Sequence, residues 1–324
     1  MIGKYSVKVE NNKIKYEFEV RRNITIIRGD SATGKTELLR LIDEYFQYGQ
    51  GSGITLRCER TCRVLQGRDW EHQLSHIEGS IVFIDEISTF TKSEAFAKAI
   101  QGTDNYYVIV TRNNLENLPY SVDEIYGIRE SGKYKGLKKI YNETYRLYGE
   151  YSNLKEISVD MVLVEDSNSG YEFFRKALEK SDIDVKSASG KSNIKKELIK
   201  IKNNDNSVAV IADGAAFGSQ IEGIVKYQRE REKIYLYLPE SFEWLILLSG
   251  VLRDKQIEKT LEYPYDQIES EKYFSWERFF TALLVEKTEN SPYAYKKKSL
   301  NPIYLQDELR EKIMKAIRYE EGWK

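Results

Sequence analysis

The run Gly29-Asp30-Ser31-Ala32-Thr33-Gly34-Lys35-Thr36 restricts the folds open to this chain more than any other feature. It fits G-x-x-x-x-G-K-[ST], and its surroundings give the match meaning. Ile24-Thr25-Ile26-Ile27 precedes it as a short buried-strand run, and Leu38, Leu41, Ile42 and Tyr45 follow at helical spacing. A strand, a glycine-bearing turn and a helix in that order make a cradle for phosphate. Gly29 and Gly34 let successive backbone N–H groups turn inward, and the helix adds the positive end of its dipole. Lys35 is then the residue for the terminal phosphates, and the Thr36 hydroxyl the one for Mg²⁺.

A second element downstream has the matching chemistry. Ile81-Val82-Phe83-Ile84 is an apolar strand ending in Asp85-Glu86. Such a strand delivers Asp85 to the metal and leaves Glu86 to polarise a water for attack on the terminal phosphate. The next strand, Tyr106 to Val110, ends in Thr111, Arg112 and Asn113. Together these segments resemble the additional-strand P-loop ATPases, the AAA-like and ABC-like group. The resemblance implies ATP and Mg²⁺ as ligands, hydrolysis as the reaction, and a γ-phosphate sensor among Thr111, Arg112 and Asn113. The interval from Lys35 to Asp85 is short and no Ser-Gly-Gly signature precedes Asp85, which argues for a minimal core and against an ABC-type one.

Bulk properties bound the rest. At 324 residues the chain has room for two domains of roughly 100–200 residues. A net charge of -1 provides no global field toward nucleic acid or anionic membrane, so any nucleic-acid contact must be local. The start of the chain lacks a signal peptide's apolar run, and no stretch reaches the length of a membrane span. A cytoplasmic protein is the expectation. Two cysteines exclude a disulfide framework. They are Cys58 and Cys62, and with His72 and His76, the chain's two histidines, they make C-x3-C-x9-H-x3-H. That donor set suits zinc; cysteines packed on a strand pair beside solvated histidines are the alternative.

From Gly127 to Tyr151 the sequence turns polar and tyrosine-rich. Lys133, Lys135, Lys138 and Lys139 precede Tyr141, Tyr145 and Tyr148 at i, i+4, i+7. This spacing predicts the inward face of a helix, although basic residues beside aromatics also suit a single nucleic-acid strand. A domain boundary near Tyr151 to Leu154 divides the chain into 1–152 and 153–324. Beyond it the pattern is β/α: Met161 to Val164 ending in Glu165-Asp166, a strand near Val185, Val208 to Ala212 ending in Asp213, and Ile234 to Leu238 leading to Glu240 and Glu243. Alternation of this kind predicts a parallel sheet, whose functional crevice lies beyond the carboxyl ends of its strands. Glu165, Asp213 and Glu243 (or Glu240) are thus drawn to one edge, where clustered carboxylates suit a hard divalent cation. Residues 260–324 read as amphipathic helix with a loop at Lys296-Lys297-Lys298, taken as a solvated charge run.

The second half resembles the TOPRIM domain of topoisomerases, primases and the OLD-type nucleases. Glu165 after its strand is similar to the first acid, and Asp213 with Gly218 to the D-x-D-x-x-G segment. Ala215 stands where the second Asp of that segment belongs, and Ser169 where the first motif carries an Asp. The Ser-Phe-Glu-Trp-Leu-Ile-Leu segment around Glu243 looks like the extra acidic helix of some OLD-related proteins. The expected fold is therefore α/β, a P-loop NTPase domain followed by a TOPRIM-like, Rossmann-like domain with a helical C-terminal region. The resemblance implies ATP-regulated, Mg²⁺-dependent action on DNA or RNA, in phage defence or mobile-element biology, with a homo-oligomer or protein partner and no membrane. The alternative is a nucleotide-driven switch or scaffold whose second domain binds a protein.

Overall fold

The computed structural model describes residues 1–29, 34–134, 138–148, 159–201 and 206–317. It is α/β and divides into two compact units. The first comprises Met1–Gly149 with Tyr263–Ser275, the second Glu150–Glu262 with Trp276–Lys324. Residues 263–275, grouped by sequence with the second half, thus belong to the first unit. The anchors are polar: the Met1 ammonium donates to Ser270 Oγ (2.8 Å), and Asn23 Nδ2 donates to the carbonyls of Ser270 (3.0 Å) and Tyr273 (3.1 Å). Tyr151 to Leu154, the sequence-based boundary, lies outside the described residues. No helix among the described residues is long and apolar enough to cross a membrane.

In the first unit the chain runs β1 (Tyr5–Glu10), β2 (Ile14–Val20), β3 (Ile24–Arg28), α1 (Lys35–Tyr48), β4 (Thr55–Arg57), β5 (Thr61–Leu65), α2 (Trp70–Leu74), β6 (Ser80–Ile84), α3 (Glu94–Ile100), β7 (Tyr106–Val110), β8 (Ile125–Glu130) and β9 (Ile140–Arg146). The strands form one nine-stranded sheet in the order β4-β1-β2-β9-β8-β3-β7-β6-β5. From β8 to β5 every neighbouring pair is parallel. Strands β3, β6 and β7 are buried at every residue, which requires cover on both faces and accounts for their unbroken apolar runs. Helix α1 covers one face through Leu38, Leu41 and Ile42, which share a core with Phe83, Val108 and Phe18. On the other face Phe96 of α3 meets Tyr107 edge-on, and Trp70 of α2 stacks on Phe90. The other half of the sheet contains the β1–β2 hairpin, whose turn is held by Asn11 Oδ1 accepting from the amides of Lys13 and Ile14 (2.9 Å each).

The tyrosine-rich segment is a strand and not the expected helix. Tyr141 and Tyr145 lie on β9, which pairs with β8 and β2, while Tyr148 follows the strand's end. Residues four apart share a face in a strand as well as in a helix, so spacing alone could not separate the two. The Tyr145 ring lies across Gly127 of β8 with the Arg129 guanidinium over it at 4.9 Å. Lys15 approaches the Tyr141 ring at 5.7 Å. Lys135 lies outside the described residues.

The second unit runs β10 (Met161–Val164), α4 (Ser169–Ala177), β11 (Asp184–Ser187), α5 (Ile194–Lys200), β12 (Val208–Ile211), α6 (Gly218–Glu230), β13 (Ile234–Tyr237), α7 (Phe242–Leu248), α8 (Lys255–Glu262), α9 (Trp276–Thr288) and α10 (Asp307–Ala316). Its four strands are all parallel in the order β11-β10-β12-β13. The chain steps from β10 to one side and returns past it to the other, so the order reverses between β10 and β12. Side chains at the carboxyl ends of those two strands line the crevice this reversal opens.

Candidate functional site

Each unit gathers its chemistry-bearing residues beyond the carboxyl ends of parallel strands. In the first unit β3 leads to Gly29 and α1 opens at Gly34. Gly34 has φ +85°, and a Cβ there would sit 2.6 Å from the Tyr16 hydroxyl, so glycine is required on both counts. That hydroxyl donates to the Gly34 carbonyl (2.8 Å) and holds the helix start against β2. Lys35 is buried, its Nζ donating to the Gly29 carbonyl at 2.7 Å, so the ammonium spans the base of the loop. Thr36 is exposed on the first turn. Asp30, Ser31, Ala32 and Thr33 lie outside the described residues.

Strands β6 and β7 are neighbours, and their ends bring two of the sequence candidates together. Glu86 Oε1 accepts from Arg112 Nε at 3.1 Å, with both side chains partly exposed. An exposed pair of this kind contributes little stability, about 0–1 kcal/mol, so it can exchange partners at small cost. Asp85 is half-buried at the end of β6. Thr111 is turned inward, its Oγ1 accepting from the Asn113 amide at 3.0 Å, and the Asn113 carbonyl accepts from Arg28 (3.4 Å). Arg112 is therefore the one of the three sensor candidates that meets Glu86.

The four zinc candidates do not share a site. Cys58 opens the link between β4 and β5 and Cys62 lies on β5, whereas the His72 and His76 rings stand 4.8 Å apart beside a pocket lined also by Asp43, Phe46 and Arg63. Among the described residues no group of three or more His, Cys, Asp or Glu side chains is disposed to hold a metal.

In the second unit Glu165 follows β10 and Asp213 follows β12, at the switch point. Glu165 Oε2 accepts from the Asp213 backbone N–H at 2.9 Å. With Asp166, Gly170, Pro239 and Phe242 they line a small cavity of about 20 Å³, room for one water-sized group. Gly214 follows Asp213 and its backbone lies against β13. A Cβ on it would stand 2.4 Å from the Leu238 carbonyl oxygen. Burial pushes the Glu165 carboxyl up to about 7, offset in part by the Asp213 amide and Lys191 and reinforced by Glu277 and Asp166. Asp213 is raised well above the usual range, by burial first and then by Glu277, Glu165 and Glu243. Asp166, which caps the Tyr171 amide at 2.8 Å, is raised by burial as well.

Glu243 lies one residue into α7 and is 1% exposed. Tyr295 donates its hydroxyl to Oε1 at 2.9 Å, and Lys297 Nζ is 3.9 Å from the same oxygen. Oε2 has no hydrogen-bond partner among the described residues, which is costly for a buried carboxylate. Glu240, the other candidate, is half-buried and its carbonyl accepts from the Ala215 amide. The expected convergence of Glu165, Asp213 and Glu243 is thus electrostatic and centred on Asp213, which feels both of the others, but the three do not form a three-carboxylate ligand set.

Two residues decide the charge of this crevice: Glu277, which sequence reasoning passed over, and Lys297, which it read as part of a solvated run. Glu277 on α9 repels both Glu165 and Asp213. Lys297 pairs with Glu277 at 2.6 Å. Burial opposes its charge, but Glu243, Glu277 and Asp213 prevail and hold the ammonium above its ordinary range. Ser169 aims it inward by donating its Oγ to the carbonyls of Lys296 (2.7 Å) and Lys297 (2.9 Å). The only sequence signal was the lysine run, whose flanking members Lys296 and Lys298 are exposed. Carboxylates with perturbed affinities beside a cation can hold and move protons near neutral pH or bind a hard cation. No family model matches this chain, and no curated protein matches it.

Proposed function

We propose that this chain is an ATP hydrolase of the additional-strand P-loop class whose second unit is a TOPRIM-like module acting on nucleic acid with Mg²⁺. The observation that carries the reading is the order β8-β3-β7-β6-β5, all parallel. It inserts β7 between the strand of the glycine-lysine loop and the strand of Asp85-Glu86, and so sets Arg112 beside Glu86. Lys35 would leave the Gly29 carbonyl for the terminal phosphates. Arg112 would exchange Glu86 for the developing phosphate charge, freeing Glu86 to orient a water and accept its proton. Mg²⁺ held by Thr36 and Asp85 would supply Lewis-acid charge at the phosphates.

In the second unit Glu165 and Asp213 suit a hard cation, since their mutual repulsion favours one and carboxylate oxygen is the matching donor. Two carboxylates are enough for Mg²⁺, which commonly takes one or two from protein and completes its shell with water and phosphate. The orphaned Glu243 Oε2 is a further acceptor near the same charges. A second reading, a nucleotide-driven switch or scaffold with a non-catalytic second unit, is favoured by Lys297, which already neutralises part of the acid cluster.

The ATPase test uses Lys35→Ala and Glu86→Gln. The first should lose nucleotide binding; the second should keep it and lose turnover by about 100-fold or more. Unchanged turnover in Glu86→Gln would remove Glu86 from the mechanism. For the second unit, the wild-type chain with Mg²⁺ or Mn²⁺ should nick plasmid, single-stranded DNA or RNA, and Glu165→Ala and Asp213→Ala should not. Absence of cleavage across metals and nucleotides would leave the switch reading in place.

A further inference from the structure

Strands β4 and β5 are the outermost members of the first unit's sheet, at opposite ends of its order. Yet only residues 58–60 join Arg57 at the end of one to Thr61 at the start of the other. A link that short spans at most about 14 Å, so the sheet curls around α1 until its two edges are neighbours. Both cysteines of the chain sit at this seam. Cys58 opens the link and is half-buried; Cys62 is the second residue of β5, 2% exposed, within the core that α1 covers.

Both sulfurs touch the backbone of one residue, Arg60. The Arg60 amide donates to Cys58 Sγ at 3.5 Å, and the Arg60 carbonyl lies 3.7 Å from Cys62 Sγ. The link's shape is fixed from outside by Arg60, whose guanidinium donates to the Tyr5 hydroxyl at 3.0 Å and lies over that ring. One thiol is reachable from solvent and the other sits behind it. This asymmetry divides the roles of attacking and resolving thiol.

We propose that Cys58 and Cys62 form a peroxide-reactive dithiol in which Cys58 attacks, Cys62 resolves, and the resulting disulfide pins β4 to β5 across the sheet seam. The Cys58 thiolate attacks one peroxide oxygen. The O–O bond breaks, the departing oxygen takes a proton to leave as water, and Cys58 becomes a sulfenic acid. Cys62 then attacks that sulfur; the S–O bond breaks, and hydroxide leaves with the Cys62 proton as a second water. Two thiols lose two electrons in all, and one hydrogen peroxide is reduced to two waters. Cys62 and the Arg60 N–H bring the Cys58 thiol down to about 7, against burial and repulsion from Glu59, so a useful fraction is reactive at neutral pH. Cys62 is held protonated by its neighbour and by burial. The chemistry is independent of the nucleotide reading.

The test uses the full chain with stoichiometric hydrogen peroxide. Wild type should lose both titratable thiols together, lose two hydrogens in intact mass, yield a peptide linking residues 58 and 62, and recover with dithiothreitol. Cys62→Ser should stop at a Cys58 sulfenic acid trapped by dimedone, and Cys58→Ser should react at least about 10-fold more slowly. Should Cys62→Ser fail to fold, brief iodoacetamide labelling of wild type takes its place, and Cys58 should be alkylated first. The proposal is overturned if wild-type thiols survive peroxide that consumes glutathione in the same tube. It is equally overturned by a disulfide between chains, or by Cys62 being labelled first.

Discussion

Replacing Glu165 by Gln should make the second unit more stable at alkaline pH and leave it unchanged near pH 3. In the folded chain the Glu165 carboxyl keeps its proton up to about 7, against an ordinary 4.5, because burial and its acidic neighbours disfavour the anion. In the unfolded chain the proton leaves near the ordinary value. Folding stability from this group is complete below about pH 4.5 and is lost as the pH rises through about 7, since the native state is then forced to hold a buried charge. The displacement from 4.5 to about 7 corresponds to about 3 kcal/mol, an upper value because Asp213 and Glu277 share the same repulsion. Glutamine never ionises, and its amide oxygen can still accept from the Asp213 N–H. The variant should therefore gain up to about 3 kcal/mol over wild type at about pH 8 and roughly nothing at about pH 3. Hydrogen exchange on peptides spanning β10 and β12 reports the opening free energy of this unit alone. Millimolar Mg²⁺ should narrow the difference at high pH by favouring the wild-type anion. A gain independent of pH, or a variant weaker than wild type at pH 8, would refute the charge argument.

Two further substitutions, one with a control, probe the packing of the two units. Glu124 is fully buried against Arg21 (2.8 Å) and Arg22 (3.3 Å), so Glu124→Gln leaves two guanidinium groups without their counter-ion; urea unfolding of the first unit should show a loss of about 3 kcal/mol. Gly214→Ala drives a Cβ to 2.4 Å from a backbone oxygen, while Gly132→Ala meets nothing within 4 Å. Thermal melts should show about 1–3 kcal/mol lost in the first and near zero in the second, and equal effects would contradict the close approach of β12 and β13.

Much of the fold was legible because its strands are buried on both faces. Ile24 to Ile27, Ile81 to Ile84 and Tyr106–Val110 are continuous apolar or β-branched runs with no exposed residue, and such runs declare themselves without periodicity. The acids at their ends were readable for the same reason: a parallel sheet exposes its carboxyl ends by construction. β9 was misread because half-buried tyrosines four apart satisfy two periods at once. The return of residues 263–275 to the first unit depends on Ser270 and Tyr273 carbonyls meeting Asn23, and carbonyl acceptors leave no trace in a sequence.

The second unit's crevice shows most sharply where local reading stops. Its β/α repeat supplies Glu165 and Asp213, and a charge balance drawn from that repeat alone would make each the other's main antagonist. In the folded unit the strongest charge acting on Asp213 is Glu277, from α9, and the cation that answers it is Lys297, from the loop beyond. Neither residue lies within a β/α step, and Ser169 holds the backbone of Lys297 by donating to the carbonyls of Lys296 and Lys297. In the TOPRIM-like reading proposed for this unit, Ser169 stands where the first motif carries an Asp. Replacing an acid with a hydroxyl there removes one negative charge and also imports a positive one. On that reading the site needs less from a divalent ion than a full acid set does. Its metal demand should therefore depend on Lys297 as much as on Glu165 and Asp213.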